Sequence, residues 1–144
     1  MSGIKTSARN LFKGTVKKVV TGAVNSEVVL DIGGQEIVAI ITNESVRNLG
    51  LKDGGSAYAL IKASWVILTD GAPGLKVSAR NYLSGKVEKI TKGAVNSEVS
   101  VKITGDRSIV AIITNASVDN LGLKEGGSAG AMIKASNVII AVDA

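Results

Sequence analysis

Short runs of β-branched and apolar residues alternate with glycine-rich and polar stretches along the first half of the chain. Such runs predict β-strands, because Val, Ile and Thr favour extended backbone while Gly, Asn and Asp favour turns. Five strands are predicted in this half: Phe12 to Val20, Glu27 to Ile32, Glu36 to Thr42, Ala57 to Ile61 and Trp65 to Leu68.

One segment between the third and fourth predicted strands has a helical pattern. Asn43 to Leu49 is predicted to form a short helix that begins with Thr42 or Asn43 as its N-cap and ends at Gly50. Five short strands with a helix between the third and fourth are the pattern of an OB-type barrel. The predicted fold class is therefore all-β.

The second half of the chain repeats the first. Ser7-Ala8-Arg9-Asn10 recurs from Ser78, and Gly22 to Val28 recurs from Gly93, both at an offset of 71 residues. Later segments recur at an offset of 72, because one residue is inserted in the turn where Gly33 to Glu36 becomes Thr104 to Ser108. We therefore expect two tandem OB-like domains, residues 1–71 and 72–144, each a complete unit, joined at Thr69 to Gly74.

Composition excludes several kinds of chemistry. The chain has no Cys and no His, so disulfides, thiolate or imidazole metal ligands, a Cys nucleophile and a Ser-His-Asp triad are ruled out. Hydrophobic residues make up 45% of the 144 residues but aromatic residues only 3%, so Val, Ile, Leu and Ala must fill the core. A domain of about 70 residues gains only a few kcal/mol from such a core, so assembly of several copies is expected.

No apolar run approaches the length of a membrane-spanning helix, and Met1 to Lys5 lacks the apolar region of a signal peptide. A cytoplasmic protein without a membrane partner is expected. The net charge of +5 favours an anionic partner. An OB-type nucleic-acid-binding module is one alternative, although Phe12, Tyr58, Trp65 and Tyr82 are the only aromatic residues available for stacking on bases.

Short motifs are kept between the two repeats while the surrounding charges change, since Lys17 becomes Glu88 and Arg47 becomes Asp119. The first motif places Arg9 and Arg80 beside Ser7 and Ser78, where a guanidinium and a hydroxyl could bind an oxyanion. The alternative for each arginine is an ordinary solvated side chain before a strand.

The second motif, Thr42-Asn43-Glu44-Ser45, recurs as Thr114-Asn115-Ala116-Ser117 where a strand leads into the helix. Free backbone N–H groups at that point favour an anion, and the alternative is simple capping. The third motif, Lys62-Ala63-Ser64, recurs as Lys134-Ala135-Ser136. It could neutralise an anion or, as the alternative, form a Ser/Lys catalytic dyad through Ser64 and Ser136.

These motifs, together with the loop Gly-Ala-Val-Asn-Ser-Glu-Val, resemble the molbindin or Mop family of molybdate-binding proteins, and specifically its two-domain members. The match covers nearly the whole chain. The resemblance implies a non-catalytic cytoplasmic store of molybdate, with tungstate accepted similarly, whose OB-like domains associate so that anions bind at their interfaces. Other Mop domains serve as sensor modules in transport and transcription proteins, whereas this chain is expected to be the free-standing form.

The resemblance also implies the binding residues. In the main site of the family one domain supplies Ser-Ala-Arg and its neighbour supplies Thr-x-x-Ser and Lys-Ala. The corresponding residues are Ser7, Ala8, Arg9, Thr42, Ser45, Lys62 and Ala63, with Ser78, Ala79, Arg80, Thr114, Ser117, Lys134 and Ala135 in the second repeat. A second type of site, near a three-fold axis, would use Val24, Asn25, Ser26, Val95, Asn96 and Ser97. No cofactor is implied, and a homotrimer is the expected assembly.

Overall fold

The structure, a computed structural model, describes residues 4–144. Residues 1–3, which belong to the first repeat and to the stretch considered for a signal peptide, lie outside the described residues. The first repeat forms β1 (Asn10–Thr21), β2 (Asn25–Asp31), β3 (Glu36–Thr42), α1 (Asn43–Leu49), β4 (Ser56–Ile61) and β5 (Ile67–Thr69). The second forms β6 (Asn81–Lys92), β7 (Asn96–Thr104), β8 (Arg107–Thr114), α2 (Asn115–Leu121), β9 (Ser128–Ile133) and β10 (Ile139–Ala141).

The expected all-β fold with five strands and one short helix in each repeat is confirmed, and the two sheets are curled, antiparallel half-barrels. Several strand boundaries lie one or two residues from the predicted ones, since β1 begins at Asn10 and β2 spans Asn25–Asp31. At β5 the difference has a local cause. Trp65 was expected to open the fifth strand, but it lies in a 3-10 turn, Ala63–Trp65, because its N–H donates to the Lys62 carbonyl at 2.9 Å. The second repeat has the matching 3-10 turn Ala135–Asn137.

Each sheet takes its fifth strand from the other repeat. The strand orders are β10-β4-β1-β2-β3 and β5-β9-β6-β7-β8. One compact unit therefore contains the described residues up to 61 together with 134–144, and the other contains 62–133. These units differ from the expected contiguous units 1–71 and 72–144, because β5 pairs with β9 and β10 pairs with β4 along the edge that each fourth strand leaves open.

Two glycines allow close approach between neighbouring strands. A Cβ on Gly14 would lie 2.6 Å from the Asp31 carbonyl oxygen, and one on Gly85 would overlap the Lys102 carbonyl oxygen. Each glycine lies close to a register shift, which falls between Val16 and Lys18 in β1 and between Val87 and Lys89 in β6. Here the strand bends sharply enough to bring the backbones together.

We expect Gly85→Ala to lower the free energy of unfolding by about 1–3 kcal/mol, the usual cost of overpacking. Chemical denaturation would measure it, with Ser84→Ala as the control because Ser84 is exposed on the same strand. Equal stability of the two variants would contradict the close approach.

Candidate functional site

The Thr-x-x-Ser motif forms the start of each helix. Thr42 is the N-cap of α1, and its Oγ1 accepts a hydrogen bond from the Ser45 N–H at 3.1 Å. Thr114 caps α2 in the same way, accepting from the Ser117 N–H at 3.0 Å. Gly50 ends α1 with a left-handed φ of 65°, as the sequence predicts. Of the two N-caps considered, Thr42 is the one observed.

The hydroxyls of each motif also bind each other. Thr42 Oγ1 lies 2.9 Å from Ser45 Oγ, and Thr114 Oγ1 lies 2.8 Å from Ser117 Oγ. Two hydroxyls carry two hydrogens, and their mutual bond uses one. Each pair therefore keeps one hydroxyl hydrogen that can be donated to a ligand.

The repeated loop between the first two strands of each repeat has a structural role. Ser26 is buried, and its Oγ donates to Asn43 Oδ1 at 2.5 Å. Asn43 in turn donates from Nδ2 to the Gly22 carbonyl at 3.0 Å and from its N–H to the Val24 carbonyl at 2.9 Å. Asn43 thus ties the loop to the start of α1. Val24 itself is 70% exposed.

The second repeat builds the same connection from Ser97, Asn115, Gly93 and Val95. These contacts explain why each loop has a Ser at this position and why each helix begins with an Asn: the Ser hydroxyl donates to the Asn side chain, and the Asn amide donates to the loop backbone. Sequence reasoning missed these contacts, although the repeated loop sequence indicated that the loop had some specific role.

The Lys-Ala-Ser turns are held in place by their alanines. Ala135 is 4% exposed and clusters with Val29 of β2 and Val38 of β3. The turn therefore packs on the same sheet that carries Thr42, at the end of β3. Ala63, 3% exposed, occupies the equivalent position in the other unit.

A shallow groove in each unit brings two of the motifs together. In the first unit Thr42, Ser45 and Ser136 share a groove of about 300 Å³ whose apolar lining is Ile40, Ile41, Leu49, Val138, Ile139 and Ile140. In the second unit Thr114, Ser117 and Ser64 share one of about 280 Å³, lined by Val66, Ile67, Leu68, Ile112, Ile113 and Leu121. Each groove thus combines hydroxyls from both repeats.

Because of the strand exchange, the Thr-x-x-Ser motif of one repeat lies with the Lys-Ala-Ser turn of the other. Thr42 and Ser45 share a groove with Ser136 and a compact unit with Lys134 and Ala135, whereas Lys62 and Ala63 of their own repeat are part of the other unit. The sequence contains all of these residues but does not indicate this pairing. Lys62 and Lys134 are both exposed.

The Ser-Ala-Arg segments precede β1 and β6. None of their side chains is among the described residues that line the two grooves. Arg9 and Arg80 are exposed. The Asn that follows each arginine is an anchor: Asn10 is buried and donates from Nδ2 to the Ile61 carbonyl at 3.1 Å, and Asn81 does the same to Ile133 at 3.2 Å. The buried Asn therefore fixes the position of the arginine directly before the strand.

Outside the motifs the two repeats have different electrostatics. Lys17 forms an ion pair with Glu36, whereas the equivalent Glu88 accepts hydrogen bonds from Ser108 at 2.6 Å and from Ser100 at 2.7 Å. The Ser108 and Ser100 hydroxyls hold the pKa of Glu88 below its usual value. The charged surface therefore differs between repeats while the motif geometry is the same.

Two OB-like half-barrels, each with a groove that contains hydroxyl groups beside a lysine turn, define a tandem-repeat protein whose two units have the same candidate site. The chain belongs to the TOBE domain family, which matches residues 6–68 and 77–140. The resemblance to Mop proteins is confirmed by the relatives.

Three relatives illustrate the match. The molybdenum-pterin-binding protein MopA of Rhodobacter capsulatus is 44% identical over 140 residues, which cover 96% of this chain and 53% of that protein. The molybdenum transport protein ModE of Azotobacter vinelandii is also 44% identical over 140 residues, covering 96% of this chain and 52% of that protein. The molybdenum-pterin-binding protein 1 of Clostridium pasteurianum is 44% identical over 66 residues, 46% of this chain and 97% of that protein.

The chain therefore spans about half the length of MopA and ModE. Among solved structures, the cytoplasmic molybdate-binding protein ModG with molybdate bound is 48% identical, with a TM-score of 0.93, and the match covers 96% of this chain and 99% of that one. No helix in residues 4–144 combines the length and apolarity needed to cross a membrane.

Proposed function

We propose that the chain binds molybdate, and accepts tungstate, as a non-catalytic store or buffer in the cytoplasm. The observation that carries this proposal is the 48% identity to molybdate-bound ModG over 96% of the chain. The grooves support it, since each offers hydroxyl donors beside an exposed lysine turn.

The proposed main sites follow the pairing in the units. Thr42 and Ser45 act with Lys134 and Ala135, and Thr114 and Ser117 act with Lys62 and Ala63. Each site is completed by a Ser-Ala-Arg segment, Ser7 to Arg9 or Ser78 to Arg80, from a neighbouring domain in the assembly. The arginine and lysine neutralise the dianion, while hydroxyls and the alanine N–H groups donate to its oxygens.

The Ala8 N–H donates to Thr6 Oγ1 at 3.1 Å, and an anion would replace this exposed bond. The second repeat has Val77 at the equivalent position, which offers no acceptor. An anion that binds the Ala79 N–H would therefore have no side-chain hydroxyl of residue 77 to displace.

A set of donors discriminates between anions. Molybdate at neutral pH carries no proton, so donors satisfy all of its oxygens, whereas phosphate is partly protonated and its OH would face donors without an acceptor. Rejection of phosphate follows from this chemistry. Sulfate is also unprotonated, so its rejection would have to depend on the size of the site.

A second type of site is proposed at the loops. The Ser26 and Ser97 hydroxyls are already donated to Asn43 and Asn115. A ligand there would be bound through the exposed parts of Val24 and Asn25, with Val95 and Asn96 in the second repeat.

Equilibrium dialysis of the full chain against molybdate, sulfate and phosphate tests the proposed function. We expect saturable molybdate binding and little phosphate binding. Equal retention of all three anions would contradict a molybdate site. Strong affinity for single-stranded nucleic acid with a steep loss in salt would instead favour the OB-type nucleic-acid module. Labelling of Ser64 or Ser136 by an acylating probe would favour a hydrolase.

Ser45→Ala is expected to weaken molybdate binding in one groove about five- to tenfold, because it removes a neutral hydroxyl donor worth about 1 kcal/mol. Thr42→Ala should weaken binding and also lower stability by about 1 kcal/mol, since Thr42 caps α1. Calorimetric titration and chemical denaturation separate the two effects. A Ser45→Ala variant that loses stability but not affinity would show that the motif serves only the helix.

A further inference from the structure

The two lysine turns have the same backbone but different fourth residues. Lys62 has φ −68° and ψ 138°, and Lys134 has φ −66° and ψ 136°. Trp65 and Asn137 each donate their N–H to the lysine carbonyl three residues earlier, at 2.9 Å in both turns. In such a 3-10 turn, side chains three residues apart lie on the same side. The fourth residue is therefore next to the lysine in both cases.

Trp65 holds the ammonium group of Lys62. The Lys62 Nζ lies 5.5 Å from the centroid of the Trp65 ring, within the range of a cation–π contact, for which Trp is the best partner. Asn137 offers Lys134 no aromatic face. An ammonium group has three N–H donors, so one side can face the ring while the others remain available to an anion.

The grooves beside the two turns are otherwise almost the same. The polar lining is Thr114, Ser117 and Ser64 in one and Thr42, Ser45 and Ser136 in the other. The apolar linings match position by position except that Leu68 corresponds to Ile140. The residue beside the lysine is thus one chemical difference around the two grooves, and Glu44, which corresponds to Ala116 beside the other groove, is another.

We propose that Trp65 is a positioning residue that holds Lys62 ready for the anion and makes the Thr114 groove a tighter oxyanion site than the Thr42 groove. The inference rests on the proposed function. An exposed lysine must give up much side-chain freedom to bind an anion in one geometry, and a lysine already held over a ring gives up less. At an exposed site the contact corresponds to about a two- to fivefold difference in affinity.

Reciprocal substitutions in the full chain test this inference. Isothermal titration of the wild type with sodium molybdate should resolve two classes of groove site. Trp65→Asn should weaken the tighter class about two- to fivefold, and Trp65→Phe should restore part of the loss. Asn137→Trp should strengthen the weaker class by a similar factor, a gain that loss of packing cannot produce.

Two controls separate positioning from structure. In a Lys62→Ala background, Trp65→Asn should cause no further loss of affinity, because there is no ammonium to hold. Denaturation without ligand reports whether Trp65→Asn changes the fold. If it does, the affinities of Asn137→Trp and Trp65→Phe still test the inference. A wild type that binds molybdate with affinities unaffected by either reciprocal substitution overturns this inference alone. A wild type that binds no molybdate overturns the proposed function as well.

Discussion

Replacing both Arg9 and Arg80 by alanine is expected to weaken molybdate binding about 10- to 150-fold at each main site while the protein stays folded. The loss corresponds to about 1.5–3 kcal/mol for removing a charged donor from an anion. The fold should survive, because both side chains are exposed and the adjacent Asn10 and Asn81 supply the buried contacts. Titration calorimetry gives the affinity, and circular dichroism checks the fold.

Arg47→Ala is a control for the loss of one surface charge. It removes one positive charge from the exposed surface of α1, at a position where the second repeat has Asp119. Affinity for molybdate should change little, since long-range attraction by a surface charge is screened at physiological salt. A similar loss in Arg47→Ala and in the double variant would mean that net charge attracts the anion. Unchanged affinity in the double variant would remove the arginines from the site.

Local patterns predicted the elements of this fold well. The observed bounds of β3 and α1 are those predicted from the sequence. The prediction succeeds here because a Thr side chain favours the N-cap of a helix and Gly favours the left-handed residue that ends one. The Trp65 boundary was wrong because an aromatic residue favours strands on average, whereas here a local hydrogen bond to Lys62 makes a 3-10 turn.

The exchange of the fifth strands could not be predicted from periodicity. Ile67-Leu68-Thr69 and Ile139-Ile140-Ala141 have the same alternation, so either could pair with β4 or β9. In each sheet, the contacts of one residue pair distinguish the strand that is observed from its equivalent in the other repeat. Thr69 pairs with Gly130 and its Oγ1 lies 2.8 Å from the Tyr82 hydroxyl, in space that a Cβ on residue 130 would occupy.

In the other sheet the small Ala141 pairs with Tyr58, whose hydroxyl donates to the Asp143 carboxylate at 3.1 Å. These partners are far apart in sequence, and their fit becomes visible only when the strands are aligned. The same exchange decides which lysine turn accompanies which Thr-x-x-Ser motif. Repetition thus singled out the motifs from which the candidate site is proposed, whereas the grouping of these motifs depends on long-range pairing.

The last prediction is that the chain forms a closed homo-oligomer, most simply a trimer, and that molybdate stabilises it. Each proposed site needs a Ser-Ala-Arg segment from a neighbouring domain, and we expect that domain to belong to another copy of the chain. Exposed apolar residues such as Val24, Ile67 and Ile139, each more than half exposed, provide surface that assembly would cover. Three chains with two units each would create about six main sites in closed symmetry.

An anion held by two domains binds only the assembled state, so adding it must favour assembly by mass action. At a molybdate concentration 100 times the dissociation constant, each site contributes about 2.7 kcal/mol. Thermal unfolding should therefore shift upward by at least about 5 °C, and by more than in chloride of equal ionic strength. The Arg9→Ala, Arg80→Ala double variant should lose most of this shift. Sedimentation that finds a monomer binding molybdate at full affinity would contradict the shared site, because one chain would then supply every donor the anion needs.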